Sequence, residues 1–198
     1  MNFKRELLKN VTFKGLNLIL SFAATVLLVR LLGTEGNGLY SLFIANTAII
    51  ALVISFSFNS GIIYYTAKNE FPTEKIFNTV IIILFIQLIL ILIAEKIFRT
   101  IFGFSFYMDK NLPGISFWGN IYLVAILLNG YLSAIFSGHK WFDTLNILTV
   151  AANVVFVIVF GYLLFKENSY SFHHTVLVLK IYILLIIFQA LLLSLIHI

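Results

Sequence analysis

From Gly15 to Val29 the chain carries no charge, and a cation closes the run at each end, Lys14 and Arg30. As a helix, with those two side chains reaching outward, this stretch covers a hydrocarbon core of roughly 30 Å. Its polar residues are ordered. Lys14, Asn17, Ser21 and Thr25 recur at steps of three, four and four, which places them on one helix face. Arg30 falls near the opposite face and reads as an interface anchor. A spanning helix with one polar stripe faces partner helices or a watery cavity.

Composition extends that local reading to the whole chain. Of 198 residues, 61% are hydrophobic and 11% charged, and the mean hydropathy is +1.05. That is the mix of an integral membrane protein. Without cysteine there are no disulfides, no thiolate metal sites and no cysteine nucleophile. The net charge of +5 is spread over the ends of apolar segments. It therefore signals topology, and no nucleic-acid partner is expected.

Six apolar segments follow in order, at about 13–32, 38–65, 76–94, 115–137, 144–165 and 175–197. The expected fold is all-α, a single lobe over 1–198 built as a bundle of six transmembrane helices. Lys4, Arg5 and Lys9 resemble the basic start of a signal peptide, but the first apolar run outlasts the roughly 7–15 residues of such a segment. An uncleaved anchor is expected. The glycines of GTEGNG suit a tight link between antiparallel helices. The second segment is long enough to tilt, and it holds Asn46, Thr47, Ser57 and Asn59. The third is nearly pure aliphatic apart from Asn78, Thr79 and Gln87, as suits a helix facing lipid on most sides.

Residues 95–114 mix Arg99 with Phe98, Phe102, Phe104, Phe106 and Tyr107, the pattern of an interfacial segment. Trp118 and Tyr122 are expected in the aromatic belt. Tyr122, Asn129, Ser133 and Lys140 fall on one helical face, and Asn146, Thr149 and Asn153 on another. Around the first segment four cations, Lys4, Arg5, Lys9 and Lys14, stand against Arg30, which predicts a cytoplasmic amino terminus.

Catalytic chemistry is not visible, and no enzyme activity, cofactor or metal is expected. His173 and His174 are adjacent, so they point apart on a helix, and no third ligand is near. GTEGNG lacks the preceding strand of a nucleotide loop. Glu6, Glu35, Glu70, Glu74, Glu95, Asp109, Asp143 and Glu167 all fall in links or at segment ends, leaving no carboxylate at a span centre for ion coupling. A single Asn or Ser in a span is often glue between helices, worth roughly 0.6–2 kcal/mol. Here three spans each carry a stripe, and two stripes end in lysine, Lys14 and Lys140. Lined with amides and hydroxyls and edged by lysine, a cavity suits sugar hydroxyls and pyrophosphate.

VRLLGTEGNGLYSLF, with the spans on either side, resembles the start of Wzx-type polysaccharide biosynthesis proteins. These are lipid-linked oligosaccharide flippases of the multidrug/oligosaccharidyl-lipid/polysaccharide exporter superfamily. NGYLSAIFSGHKWFDTLNI is similar to their fourth-to-fifth span junction. The resemblance covers the chain as the amino-terminal half of a family member, one of two six-helix lobes around a central cavity. It implies flipping of an undecaprenyl-pyrophosphate-linked oligosaccharide in the inner (plasma) membrane, with a second lobe or a second copy as partner. It also implies that cavity cations hold the pyrophosphate, Lys14 first with Asn17 beside it, and Arg30 next. Ser21, Asn129, Ser133, Lys140 and Asn153 complete the expected lining. A non-transporting lobe or assembly partner in polysaccharide export is the alternative, and a multidrug antiporter lobe ranks below both.

Overall fold

In the computed structural model the described residues are 3–103, 105–107, 114–166 and 172–195, with side chains described from residue 8 in the first helix and from 175 to 194 in the last. They form α1 (Phe3–Ser55), α2 (Phe58–Lys68), α3 (Thr73–Phe102), α4 (Ile115–Gly138), α5 (Phe142–Lys166) and α6 (Phe172–Leu195). All of these but the 11-residue α2 are long and apolar enough to cross a membrane. The chain is an all-α, multi-pass membrane protein.

At 53 residues, α1 would be about 80 Å long as a straight rod, more than twice a hydrocarbon core. It is not one rod. Gly33 adopts φ 64° and ψ −171°, a backbone region that residues bearing a Cβ avoid. This splits α1 into 3–32 and 34–55, each long enough to span. The rest of the expected link is helical. Gly36 does a different job, because a Cβ there would lie 2.8 Å from the Thr175 hydroxyl of α6.

The chain forms two compact units, 1–37 with 141–198, and 38–140. In the first, α1 lies along α5. Asn146 donates to Asn10 (2.9 Å) and Asn153 donates to Asn17, each pair 136 residues apart. A constant separation in number means that the two helices run parallel. Ala152, Phe156 and Phe160 bury one face of α5 at steps of four, and the Phe156 ring meets Tyr182 of α6 at 5.9 Å.

In the second unit α4 is the most enclosed helix, with Leu123, Leu132, Ile135 and Phe136 fully buried. Helix α3 buries one face, Ile76, Val80, Leu84, Gln87, Ile91 and Glu95, spaced three and four apart. Polar contacts join Thr73 to His139, Gln87 to Tyr131, Glu95 to Asn120 and Arg99 to Ser116. Numbers rise on α3 as they fall on α4, so the pair is antiparallel. Asn59 lies against Gly130 and Thr66 against Gly138, which makes α2 parallel to α4. Phe43 of α1 stacks at 5.3 Å on Tyr122 in the same sense. Within each unit, neighbours thus run as alternate crossings of a bilayer do, provided α1 counts as two crossings. The outer face of α3, including Ile82, Phe85 and Ile86, is exposed as expected of a lipid-facing helix.

Local expectations need correction in several places. Helix α3 extends beyond 76–94 at both ends, so 95–102, expected at the interface, continues its last turns. Phe104 and 108–113 lie outside the described residues. Tyr122 is 4% exposed and packed beneath Phe43, not in an aromatic belt. Helix α4 stops at Gly138 and Lys140 has φ 60°, so the face drawn through Tyr122, Asn129 and Ser133 does not reach Lys140.

Candidate functional site

The second apolar segment, expected to be continuous over 38–65, is interrupted. Phe56 and Ser57 take left-handed φ values of 43° and 58°, which end α1 at Ser55 and restart the chain as α2. In an unbroken helix the Ile54 carbonyl would accept from Phe58. Here it accepts from the Gln87 side-chain amide at 2.9 Å, and the Tyr131 hydroxyl donates to the Gln87 carbonyl oxygen at 3.0 Å. Gln87 lies midway along α3, which places the interruption near half depth of that helix. On its other side Ser57 gives no side-chain cap to the N–H groups that open α2, and helices leave their first N–H groups unsatisfied. Phe56 to Gly61 are all exposed, Ser57, Asn59 and Ser60 among them. At membrane depth such a backbone persists only where it faces water or protein. Single cysteines at Ser57 and Asn59 are therefore expected to react with an impermeant thiol reagent at rates comparable to one at Asn69 in the link. A cysteine at Leu52, on the exposed apolar surface of the same segment, should stay unreacted.

The expected stripes of the first and fifth segments do meet. Asn17 and Asn153 bond each other, as do Asn10 and Asn146, with the ion pair of Lys9 and Asp143 (2.8 Å) at the end of the seam. Ser21 and Thr25 spend their hydroxyls on their own helix, donating to the carbonyls of Leu18 and Ser21. Lys14 and Arg30 are both exposed. Neither makes an ion pair among the described residues. In the second unit, Asn129 donates to the Ala125 carbonyl (3.0 Å), and Ser133 serves as backbone acceptor for Ser137. These residues and the Asn17 seam belong to different units. His173 and His174 lie outside the described side chains.

One polar cluster was not foreseen. Glu95, expected in a link, is buried inside α3. One of its oxygens accepts from Asn120 at 2.6 Å, and the other from Arg99 (3.1 Å) and Ser105 (3.3 Å). Arg99 also donates to Ser116, which donates to Ser105 (2.8 Å). The Tyr107 hydroxyl donates to Asn120 at 2.8 Å, and burial, with the nearby Glu95 charge, pushes that phenol's pKa up, so it remains a neutral donor. The cluster pins 105–107 between α3 and α4, and Asn46 adds a bond to the Phe106 carbonyl (3.2 Å). With every partner engaged it acts as a clamp. The sequence signals were Glu95 and Arg99 four apart, and the helix-poor SFNSG inside an apolar run. No protein-family model, curated protein or solved structure matches the chain.

Proposed function

We propose that the chain is part of a transporter that moves a lipid-linked oligosaccharide, of the undecaprenyl-pyrophosphate type, across the plasma membrane for envelope polysaccharide synthesis. The observation that carries this reading is the exposed, polar break at Phe56–Ser57, level with the middle of α3. Interrupted helices near the membrane midplane are a recurring way to build a translocation path. Lys14 is exposed beside the Asn17–Asn153 pair and supplies a cation for pyrophosphate, while Arg30 anchors the opposite end of its span. In this reading the amino terminus is inside, and a second lobe or second copy completes the path.

A second reading is an assembly partner that does not transport. It is favoured by the amide pairs of α1 and α5, which satisfy each other and leave fewer groups for a ligand. The antiporter reading has one buried carboxylate among the described residues to draw on, but Glu95 is fully engaged near the end of α3.

Deletion of the gene separates these readings. Translocation predicts loss of surface glycan together with build-up of its lipid-linked precursor in the inner leaflet. Loss of glycan without build-up supports the assembly role, and unchanged glycan overturns both. At matched abundance Lys14→Gln is expected to lower export while Arg30→Gln leaves it near normal. The reverse pattern would reassign the cation.

A further inference from the structure

Between α2 and α3 lies an open groove of about 380 Å³. Its walls are Phe58, Ile62 and Tyr65 on one side and Ile76, Val80 and Ile83 on the other, with Lys75 among its lining. The polar groups gather at one end. Lys75 is in the first turn of α3, with its ammonium 4.8 Å from the centre of the Phe71 ring, and Tyr65 brings its ring within 6.0 Å of that same phenyl. Toward Phe58 the lining is largely apolar, and the one hydroxyl along it, that of Thr79, is committed to the Lys75 carbonyl at 2.8 Å.

The charge at the mouth is not neutralised. Lys68 is paired with Glu70 at 2.7 Å, but Lys75 makes no ion pair among the described residues. Glu74, next to it on the helix, projects about 100° away. A single cation at the end of a carbon-lined trough in a membrane protein matches an anionic amphiphile, and it excludes a sugar, which would strand its hydroxyls along the trough.

We propose that this groove is a binding site for an anionic glycerophospholipid. One acyl chain lies along the α2–α3 trough toward Phe58, and the phosphate meets the Lys75 ammonium and the Tyr65 hydroxyl. Basic pockets between spanning helices hold lipid headgroups in this way. The trough lies within the second unit, its apolar end directly following the break at Phe56–Ser57, and the proposal does not depend on what the protein transports.

The test places a reporter in the trough. Phe58→Trp in the full chain, with Trp118 and Trp141 changed to Phe, puts the single indole at the apolar end. Quenching is compared for phosphatidylglycerol and phosphatidylcholine, each brominated in the acyl chain and diluted into phosphatidylcholine bilayers. Phosphatidylglycerol is expected to be preferred about five-fold, equivalent to the roughly 1 kcal/mol that a lysine contributes near an anionic lipid surface. Lys75→Gln should bring the ratio close to one, while Lys68→Gln, whose lysine is already paired, leaves it intact. Equal quenching by the two lipids overturns the site, as does a preference that survives Lys75→Gln or is lost equally at Lys68→Gln. Reversal of quenching by added inorganic phosphate would also overturn it, because the acyl chain would then contribute nothing.

Discussion

Replacing Gly138 with alanine is expected to lower stability by about 2–3 kcal/mol, the range of a forced overpacking in a tight core. A Cβ at Gly138 would sit 2.5 Å from the Cβ of Thr66 and 3.1 Å from the Ile63 carbonyl oxygen. Both atoms are fixed by the α2 backbone, so no rotamer change relieves the contact and α2 must lift from α4. Thr66 is 1% exposed and its hydroxyl has no hydrogen-bond partner among the described residues. The close approach of the two helices therefore already carries a polar cost. Adding Thr66→Gly to Gly138→Ala should recover part of the loss, less the roughly 1 kcal/mol that glycine costs inside a helix. Gly161→Ala is the control. Among the described residues no neighbour outside its own helical turns lies within 4 Å of its Cβ position, so helix propensity alone acts, and a slight gain is expected. Thermal unfolding of the purified protein in detergent reads all three variants against the parent. A Gly138→Ala protein as stable as the parent would mean that α2 does not pack against α4 this closely.

What was legible in the sequence was whatever repeats. The long apolar runs identified the membrane class, and the stripe of Asn146 and Asn153 did mark a helix contact, because a seven-residue step returns to the same face. Single-residue events were not legible. Gly33 alone turns the chain, although GTEGNG offers three glycines, and only the packing of Thr175 on Gly36 distinguishes their roles. The break at Phe56–Ser57 has only the short polar stretch SFNSG inside an apolar run to mark it. Its freed carbonyl is capped from α3 by Gln87, a long-range contact that no local window contains. Tyr122 has the composition of a belt residue, and only the third-dimension neighbour Phe43 places it inside. Glu95 misled for the same reason. A carboxylate at the end of an apolar run looks solvated until Asn120, twenty-five residues on, is seen to donate to it.

That clamp leads to the second large effect. Glu95→Ala is expected to cost about 3 kcal/mol, since hydrogen bonds to a charged group are worth roughly 1.5–3 kcal/mol each and are not additive. The loss leaves the Asn120 amide and the Ser105 hydroxyl without their acceptor while both remain buried. Arg99 is over half exposed and can turn to water, so it adds little. Glu95→Gln keeps an acceptor for Asn120 but loses the charge, and should fall between the two. The damage should be local before it is global, because Ser105 and Tyr107 hold the chain that follows α3. Limited proteolysis is expected to cut between 103 and 114 faster in Glu95→Ala than in the parent at temperatures where both are folded. Tyr107 gives an independent reading through pH. Its pKa is raised above the usual 10, so its contribution is complete below pH 10 and is lost as the pH climbs through the folded value. Tyr107→Phe should flatten that alkaline decline while lowering stability at neutral pH through the lost bond to Asn120. If Glu95→Ala unfolds at the parent temperature and is cut no faster, the carboxylate is not what holds 105–107 to α3 and α4. The clamp would then rest on the stacking of Phe43 against Tyr107, whose rings lie 5.8 Å apart, and Phe43→Ala would be the more damaging change.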